Sequence, residues 1–253
     1  MNMNFSKKVV LISGGGTGIG LTIAKSFLLS GANVVITGRR EEVLEKSKHA
    51  LINELGDVNK RIISMSCDMS ELNSVEKVVK STLHQFDNLD IMINNSGVWF
   101  AKQIVNIIED EITYGFENIL KSTIVGTKVA ANSMEKSGVI INIGSFAGII
   151  PMKNASLYSS FKSSINSFTK SAATELADLN IRVNCVIPGV IRTSMTSDYI
   201  DDNYDKLISA IPLNRIGTTE EVANTVLLLC SDLASYITGA ILEVTGGKYI
   251  TQL

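Results

Sequence analysis

Short apolar runs alternate along the chain with longer segments in which apolar residues recur every three or four positions. The short runs are rich in β-branched residues and predict strands, whereas the longer periodic segments predict amphipathic helices. The predicted strands are the segments 7–13, 33–37, 61–68, 89–97, 138–144, 181–187 and 237–244. The predicted helices are the segments 21–32, 41–55, 71–86, 104–134, 155–178 and 219–233.

This alternation of strand and helix predicts an α/β fold, because it is typical of a parallel sheet with helices on both faces. We predict a single Rossmann-like, doubly wound parallel sheet of about seven strands. One domain over residues 1–253 is expected, since no change of composition and no Pro/Gly/Ser-rich linker divides the chain. Ligands of such sheets bind at the carboxyl ends of the strands, where polar motifs are therefore informative.

A glycine-rich turn joins the first predicted strand to the first helix. Read as G-x-x-x-G-x-G, the sequence GGGTGIG places the glycines of this pattern at 14, 18 and 20. Glycine lets the backbone turn tightly and approach a pyrophosphate, whose charge is favoured by the free N–H groups at a helix N-terminus. The alternative is a turn with a structural role only.

The second predicted strand is followed by Gly38, Arg39 and Arg40. In dinucleotide-binding folds this position meets the adenosine ribose, where an acidic residue would accept bonds from the hydroxyls of NAD. No acidic residue stands there, and guanidinium groups suit a 2′-phosphate. The sequence therefore favours NADP(H), with NAD(H) possible. The alternative is that both arginines only begin the solvated helix 41–55.

Three polar residues near the middle of the chain, Ser145, Tyr158 and Lys162, have spacings that suit proton transfer. Tyr158 and Lys162 are four residues apart and lie on one face if the segment is helical. A nearby ammonium favours the phenolate, so we predict that Lys162 lowers the pKa of Tyr158. Ser145 follows a predicted strand and can donate to a substrate carbonyl oxygen. The alternative is an ordinary solvated helix face.

The composition points to small-molecule partners. Lys and Arg number 23 against 25 acidic residues, which gives no electrostatic reason to expect nucleic acid or an anionic membrane as partner. No apolar run reaches the roughly 18 residues of a membrane span, so a cytoplasmic location is expected. Cys67, Cys185 and Cys230 lie far apart, with no metal-ligand spacing, and are predicted to be buried thiols. His49 and His84 are expected at the surface.

A further segment, residues 190–212, mixes Met195, Tyr199 and Ile200 with an acidic run. Its composition predicts a mobile flap over the substrate. Together with Trp99, Phe100 and Met152, the residues Met195 and Tyr199 are candidates for the lining of an apolar pocket. The alternative is that each of them belongs to the core or to a subunit interface.

Nearly the whole chain resembles the short-chain dehydrogenase/reductases, in particular the 3-oxoacyl-acyl-carrier-protein reductases. The matching segments are SGGGTGIG at 13–20, CD at 67–68, NNSG at 94–97, Ser145, YSSFK at 158–162, PGVIRT at 188–193 and ITG at 237–239. The resemblance implies NAD(P) as hydride carrier and Tyr158 as proton donor in reduction. It also implies that Lys162 holds the nicotinamide ribose and that Ser145 orients the carbonyl.

The resemblance also implies a homotetramer and a set of cofactor contacts. The expected contact residues are Gly14, Thr17, Gly18, Ile19, Gly20, Arg39, Asp68, Met69, Asn95, Tyr158, Lys162, Ile191 and Thr193. No metal is expected.

Three positions depart from the family's pattern. Ser96 replaces the usual alanine, and Thr245 replaces the usual acidic residue before the terminal glycines. The family's asparagine for proton relay falls on Ile119 when counted from Asn95 without gaps, with Asn118 beside it. Adjacent residues of a regular helix differ by about 100°, so Asn118 is expected to point away from the site unless the helix bulges.

The favoured hypothesis from the sequence is an NADPH-dependent reductase of a ketone or 3-oxoacyl substrate. One alternative is an alcohol dehydrogenase working towards the ketone. Another is a non-catalytic NADP(H)-binding regulator, which the intact Ser145, Tyr158 and Lys162 oppose.

Overall fold

The structure is a computed structural model that describes residues 3–135 and 137–248. Residues 1–2, 136 and 249–253 of the predicted domain lie outside the described residues. One sheet of seven parallel strands has the order β3-β2-β1-β4-β5-β6-β7. The strands are β1 Val9–Ser13, β2 Asn33–Gly38, β3 Ile62–Ser66, β4 Ile91–Asn94, β5 Gly138–Ile143, β6 Ile181–Pro188 and β7 Ile241–Val244. The predicted doubly wound sheet of seven strands is confirmed.

Helices connect the strands. They are α1 Gly18–Leu29, α2 Glu41–Leu55, α3 Leu72–Phe86, α4 Glu109–Gly115, α5 Ser122–Ser133, α6 Ser156–Glu175, α7 Ser197–Asp202, α8 Tyr204–Ser209 and α9 Thr219–Cys230. A π-helix, Phe116–Lys121, joins α4 to α5. None of the helices described is long and apolar enough to cross a membrane.

Both faces of the sheet are buried, which explains why its strands are apolar almost throughout. Successive side chains of β1 point to opposite faces. Val10 and Ile12 pack in a cluster with residues of α1 and α9. Leu11 packs on the other face with residues of α3, α5 and α6. The strand order reverses between β1 and β4, so the carboxyl ends of these two strands flank the crevice in which ligands of such sheets bind.

Several predicted elements are shorter or more broken than the sequence pattern indicated. The first strand begins at Val9 because Lys7 adopts a left-handed backbone, with φ 68°. The last strand begins at Ile241, after Gly239, which is also left-handed. The predicted helix 104–134 is divided into a short 3-10 turn, α4, the π-helix and α5.

Candidate active site

A cleft of about 1010 Å³ opens at the carboxyl ends of the strands. It runs from the glycine turn after β1 to the N-terminal end of α6 and the segment after β6. The structure brings together in its lining all but one of the predicted site residues: Gly14, Thr17, Gly18, Ile19, Arg39, Asp68, Met69, Asn95, Ser145, Tyr158, Lys162, Ile191 and Thr193. The exception is Gly20, which is buried in α1.

The glycine turn has a shape that side chains would disrupt. Gly14 and Gly18 have φ values of +63° and +52°, which L side chains rarely adopt. A Cβ on Gly20 would lie 2.2 Å from the carbonyl oxygen of Gly14, so Gly20 allows α1 to pack against the turn. Thr17 precedes α1 without a side-chain cap, which leaves the N–H groups of the first helical turn available to the cleft. The turn therefore fits a pyrophosphate.

Asn95 fixes the glycine turn to the neighbouring strand. Its Nδ2 donates to the carbonyl oxygens of Ser13 and Gly14, each at 3.1 Å. The Ser13 hydroxyl oxygen accepts bonds from the backbone N–H groups of Asn95 and Ser96, each at 2.9 Å. Ser13 is a site-building residue that the sequence reasoning missed. Its signal is a polar side chain at the buried end of an apolar strand.

The adenosine end of the cleft is lined by Gly38, Arg39 and Arg40. Both arginines are exposed, and Arg40 lies directly before α2. Burial raises the pKa of Asp68, but bonds from Ser70 and the charge of Arg39 outweigh it and hold that pKa below its ordinary value. A Cβ on Gly38 would meet only the Leu44 side chain, at 3.8 Å. The lack of an acidic residue after β2 is therefore not imposed by crowding.

Tyr158 lies on the cleft-facing side of α6 and is buried. Burial raises its pKa, and a hydrogen bond with the Ser145 side chain opposes this effect. The Trp99 ring packs edge-on at 4.7 Å between centroids, and the Phe100 ring lies at 6.2 Å. A phenol is already protonated at neutral pH, as a proton donor must be, and burial of Tyr158 favours this form further.

Lys162 lies one turn further along α6 and is also buried. Its Nζ donates to the carbonyl oxygen of Ile143 at 3.0 Å. Burial lowers the pKa of Lys162 to about 8. The prediction that Lys162 lowers the pKa of Tyr158 is wrong for this structure, because desolvation of the phenol dominates and the ammonium is directed to the carbonyl at the end of β5.

Known proteins resemble this chain over nearly its full length. A family model described as enoyl-(acyl carrier protein) reductase matches residues 14–248. The 3-oxoacyl-(acyl-carrier-protein) reductase FabG of Aquifex aeolicus is 36% identical, covering 98% of this chain and 100% of the relative. A 3α-hydroxysteroid dehydrogenase of Mediterraneibacter gnavus is 33% identical, covering 97% of this chain and 98% of that relative. The chain belongs to the short-chain dehydrogenase/reductases.

A solved structure supports the same conclusion. The short-chain dehydrogenase/reductase of Brucella melitensis described as a glucose/ribitol dehydrogenase superimposes with a TM-score of 0.93 at 29% identity. The match covers 99% of this chain and 100% of that one.

The position at which the family resemblance predicts a residue for proton relay lies in the π-helix Phe116–Lys121. Ile119 is fully buried in an apolar cluster that includes Tyr158. Asn118 lines the cleft, and its Nδ2 donates to the carbonyl oxygen of Tyr114 at 2.8 Å. Asn118 therefore lies at the cleft, which is the outcome expected for a bulged helix and not for one of regular pitch. The count assumed regular helical pitch, and a π-turn takes up an extra residue.

The other two departures from the family's pattern leave the cleft intact. Ser96 contributes its backbone N–H to the Ser13 hydroxyl, a bond that does not depend on its side chain. Thr245 is buried, and its Cα would lie 2.8 Å from a Cβ on Gly189.

The predicted flap, residues 190–212, contains α7 and α8. Its base is held by a bond from Thr196 Oγ1 to the carbonyl oxygen of Ile191, at 2.7 Å. Met195 and Tyr199 line the cleft and are 64% and 55% exposed, so their apolar surface is available to a ligand.

Two of the other pocket candidates, Trp99 and Met152, also line the cleft. Phe100 is not among the cleft-lining residues; it packs beside Gly115, where a Cβ would come within 2.8 Å of the ring.

The remaining predictions concern cysteine and histidine. Cys67, Cys185 and Cys230 are free and buried, as predicted. His49 and His84 are exposed, also as predicted. Within residues 3–135 and 137–248, no group of three or more His, Cys, Asp and Glu side chains is placed to hold a metal ion.

Proposed function

We propose that this protein reduces a ketone or a 3-oxoacyl group to the alcohol with NADPH, and that Tyr158 donates the proton. The observation that carries the proposal is the pairing of Tyr158, whose pKa is raised, with Ser145 in a cleft that is continuous with the glycine turn. The FabG relative from Aquifex aeolicus supports the 3-oxoacyl alternative among the substrates.

The residues of the cleft suit a nicotinamide dinucleotide along its length. The first N–H groups of α1 would hold the pyrophosphate, and Arg39 with Arg40 would hold a 2′-phosphate. Asp68 and Met69 would lie beside the adenine, and Asn95 stabilises the conformation of the glycine turn by hydrogen bonds. Ile191, Thr193 and Lys162 would hold the nicotinamide half. When bound, this cofactor supplies the hydride.

The protein's own groups handle the proton. The Ser145 hydroxyl donates to the substrate carbonyl oxygen and orients it towards Tyr158. Tyr158 then transfers its phenolic proton to that oxygen. Below about pH 8 Lys162 carries a proton one helical turn away. Asn118, on the cleft side of the π-helix, would support the water through which the proton of Tyr158 is replaced.

Burial favours the neutral phenol of Tyr158, which is the form that donates a proton in reduction. Oxidation of an alcohol uses the phenolate as base and should therefore need a higher pH. The dehydrogenase alternative uses the same residues, so turnover measured in both directions distinguishes the two. A non-catalytic NADP(H)-binding regulator is disfavoured because Ser145, Tyr158 and Lys162 share one cleft.

Further parts of the proposal concern assembly, location and the flap. We expect a homotetramer in the cytoplasm, by analogy with the family. Residues 190–212 would cover the substrate, since Met195 and Tyr199 present apolar surface to the catalytic end of the cleft.

Steady-state assays with NADPH and NADH test the proposal. The panel contains simple ketones, acetoacetyl thioesters and a trans-2-enoyl thioester, the last because the matching family model is described as an enoyl reductase. Reduction of a carbonyl member with NADPH, lost in Tyr158→Phe, is the expected result. Turnover of the enoyl thioester alone, or equal turnover in Tyr158→Phe, would contradict it.

A further inference from the structure

One cation at the catalytic end of the cleft has no role in the proposed proton transfer. Lys153 and Asn154 are the central residues of a β-turn closed by a bond from the Ala155 N–H to the Met152 carbonyl oxygen, at 3.1 Å. Asn154 has a φ of 64°, which suits the third position of such a turn. The Met152 N–H donates to Ser159 Oγ at 3.3 Å and so ties the turn to α6. The backbone of Lys153 is therefore fixed relative to Tyr158.

Lys153 has no ion-pair partner among the described residues. It is exposed and lines the cleft, and within residues 3–135 and 137–248 its side chain makes no salt bridge or hydrogen bond. Asp68 is the single acidic residue among the described residues that line the cleft, and it lies at the adenosine end, near Arg39. The other cation at the catalytic end, Lys162, is buried and bonded to the carbonyl of Ile143. Lys153 thus gives the mouth of the substrate site a positive charge.

The surroundings of this charge are apolar. Trp99, Met152 and Met195 line the same end of the cleft. A ligand that contacted both these apolar side chains and Lys153 would have an apolar part next to its carbonyl group and an anionic group at the mouth of the cleft.

We propose that Lys153 is a specificity-determining residue that selects carbonyl substrates carrying an anionic group, either a carboxylate or a phosphate. This inference rests on the proposed reductase function. An exposed ion pair changes affinity by up to about fivefold.

Matched substrate pairs test this selection. One arm compares 3-oxo, 4-oxo and 5-oxo carboxylates with their methyl esters, and a second compares acetoacetyl-coenzyme A with acetoacetyl-N-acetylcysteamine. KM and kcat are measured at saturating NADPH for the wild type, Lys153→Ala, Lys153→Glu and Lys153→Arg. Lys170→Ala, which removes an exposed charge from α6 away from the cleft, is the matched control.

For the preferred anion, Lys153→Ala should raise KM about two- to fivefold, while KM of the neutral partner and kcat stay unchanged. Lys153→Glu should raise it further, Lys153→Arg should restore it, and Lys170→Ala should have no effect. The arm that responds identifies the carboxylate or the phosphate. Equal changes for charged and neutral partners would overturn the proposal. So would a raised Kd for NADPH in Lys153→Ala, because Lys153 would then bind the cofactor.

A binding measurement separates this proposal from the proposed function. Trp99 is the only tryptophan of the chain and lines the catalytic end of the cleft, so its fluorescence reports ligand binding without turnover. Tighter binding of an anion than of its neutral partner, lost in Lys153→Ala, supports the role of Lys153 even if no substrate is reduced. Equal binding of both partners by the wild type refutes that role even if ketones are reduced.

Discussion

Replacing Lys162 by methionine should stabilise the protein against unfolding at neutral pH while abolishing turnover. Burial lowers the pKa of Lys162 from its ordinary 10.5 to about 8. Because one pKa unit corresponds to about 1.4 kcal/mol, keeping the ammonium buried at pH 7 costs about 3 kcal/mol. Methionine removes this cost but leaves the Ile143 carbonyl without its 3.0 Å bond, a loss of about 1 to 3 kcal/mol. The expected net gain is therefore about 1 kcal/mol.

The pH dependence gives a sharper test than the net value. Between about pH 8 and 10.5 the unfolded chain binds a proton at Lys162 that the folded protein has lost. The free energy of unfolding of the wild type therefore rises with pH in this window. Burial of the Lys162 ammonium destabilises the folded protein fully below pH 8 and no longer does so above pH 10.5. From pH 7 to pH 9.5 the stability difference between the variants should move by about 2 kcal/mol in favour of the wild type.

Urea unfolding at pH 7 and pH 9.5, at one fixed protein concentration, measures this difference. Other titrating groups cancel because both variants contain them. Lys170→Met, which changes an exposed lysine of the same helix, is the control and should show no movement. The same stability difference between wild type and Lys162→Met at both pH values would refute the reasoning, since the ammonium would then carry no cost of burial.

Three further predictions concern turnover. Tyr158→Phe keeps the ring that packs 4.7 Å from Trp99 but loses the proton, so the Kd for NADPH should persist while kcat falls at least about 100-fold; an unchanged kcat would remove Tyr158 from the mechanism. Gly38→Asp, for which the fold leaves room, and Arg39→Ala should each lower the NADPH-to-NADH ratio of kcat/KM, on the order of tenfold; a wild type that prefers NADH would make the arginines ordinary surface residues. Asn118→Ala should lower kcat without changing the Kd for NADPH, and a kcat equal to wild type would show that proton resupply does not use Asn118.

The sheet and the location of the site could be predicted because both depend on local signals. Runs of β-branched residues predict where the strands lie along the chain, and the glycine-rich turn predicts the connection from the first strand to the first helix. Since parallel strands end at one edge, residues that follow different strands, such as Asn95 and Ser145, had to come together. The structure places both of them in the cleft.

Electrostatics could not be predicted in the same way. The four-residue spacing correctly placed Tyr158 and Lys162 on one helix face, but spacing does not reveal where Nζ points. That direction is set by the Ile143 carbonyl at the end of another strand. The pKa of Tyr158 depends on burial beneath Trp99 and Phe100, which arises only in the folded protein.

The π-helix shows why a correct motif can be miscounted. In a regular helix, the side chains of Asn118 and Ile119 point in directions about 100° apart. In the wider π-turn Ile119 is buried in the core while Asn118 lines the cleft. Its backbone is supported by hydroxyl groups from the following turn: Ser122 Oγ donates to the Asn118 carbonyl oxygen at 3.1 Å, and Thr123 Oγ1 donates to that of Ile119 at 2.8 Å. These bonds explain how the inserted residue is tolerated. The Asn118 side chain donates to the Tyr114 carbonyl oxygen and lines the cleft, so one extra residue alters the count without removing the group that the count was meant to find.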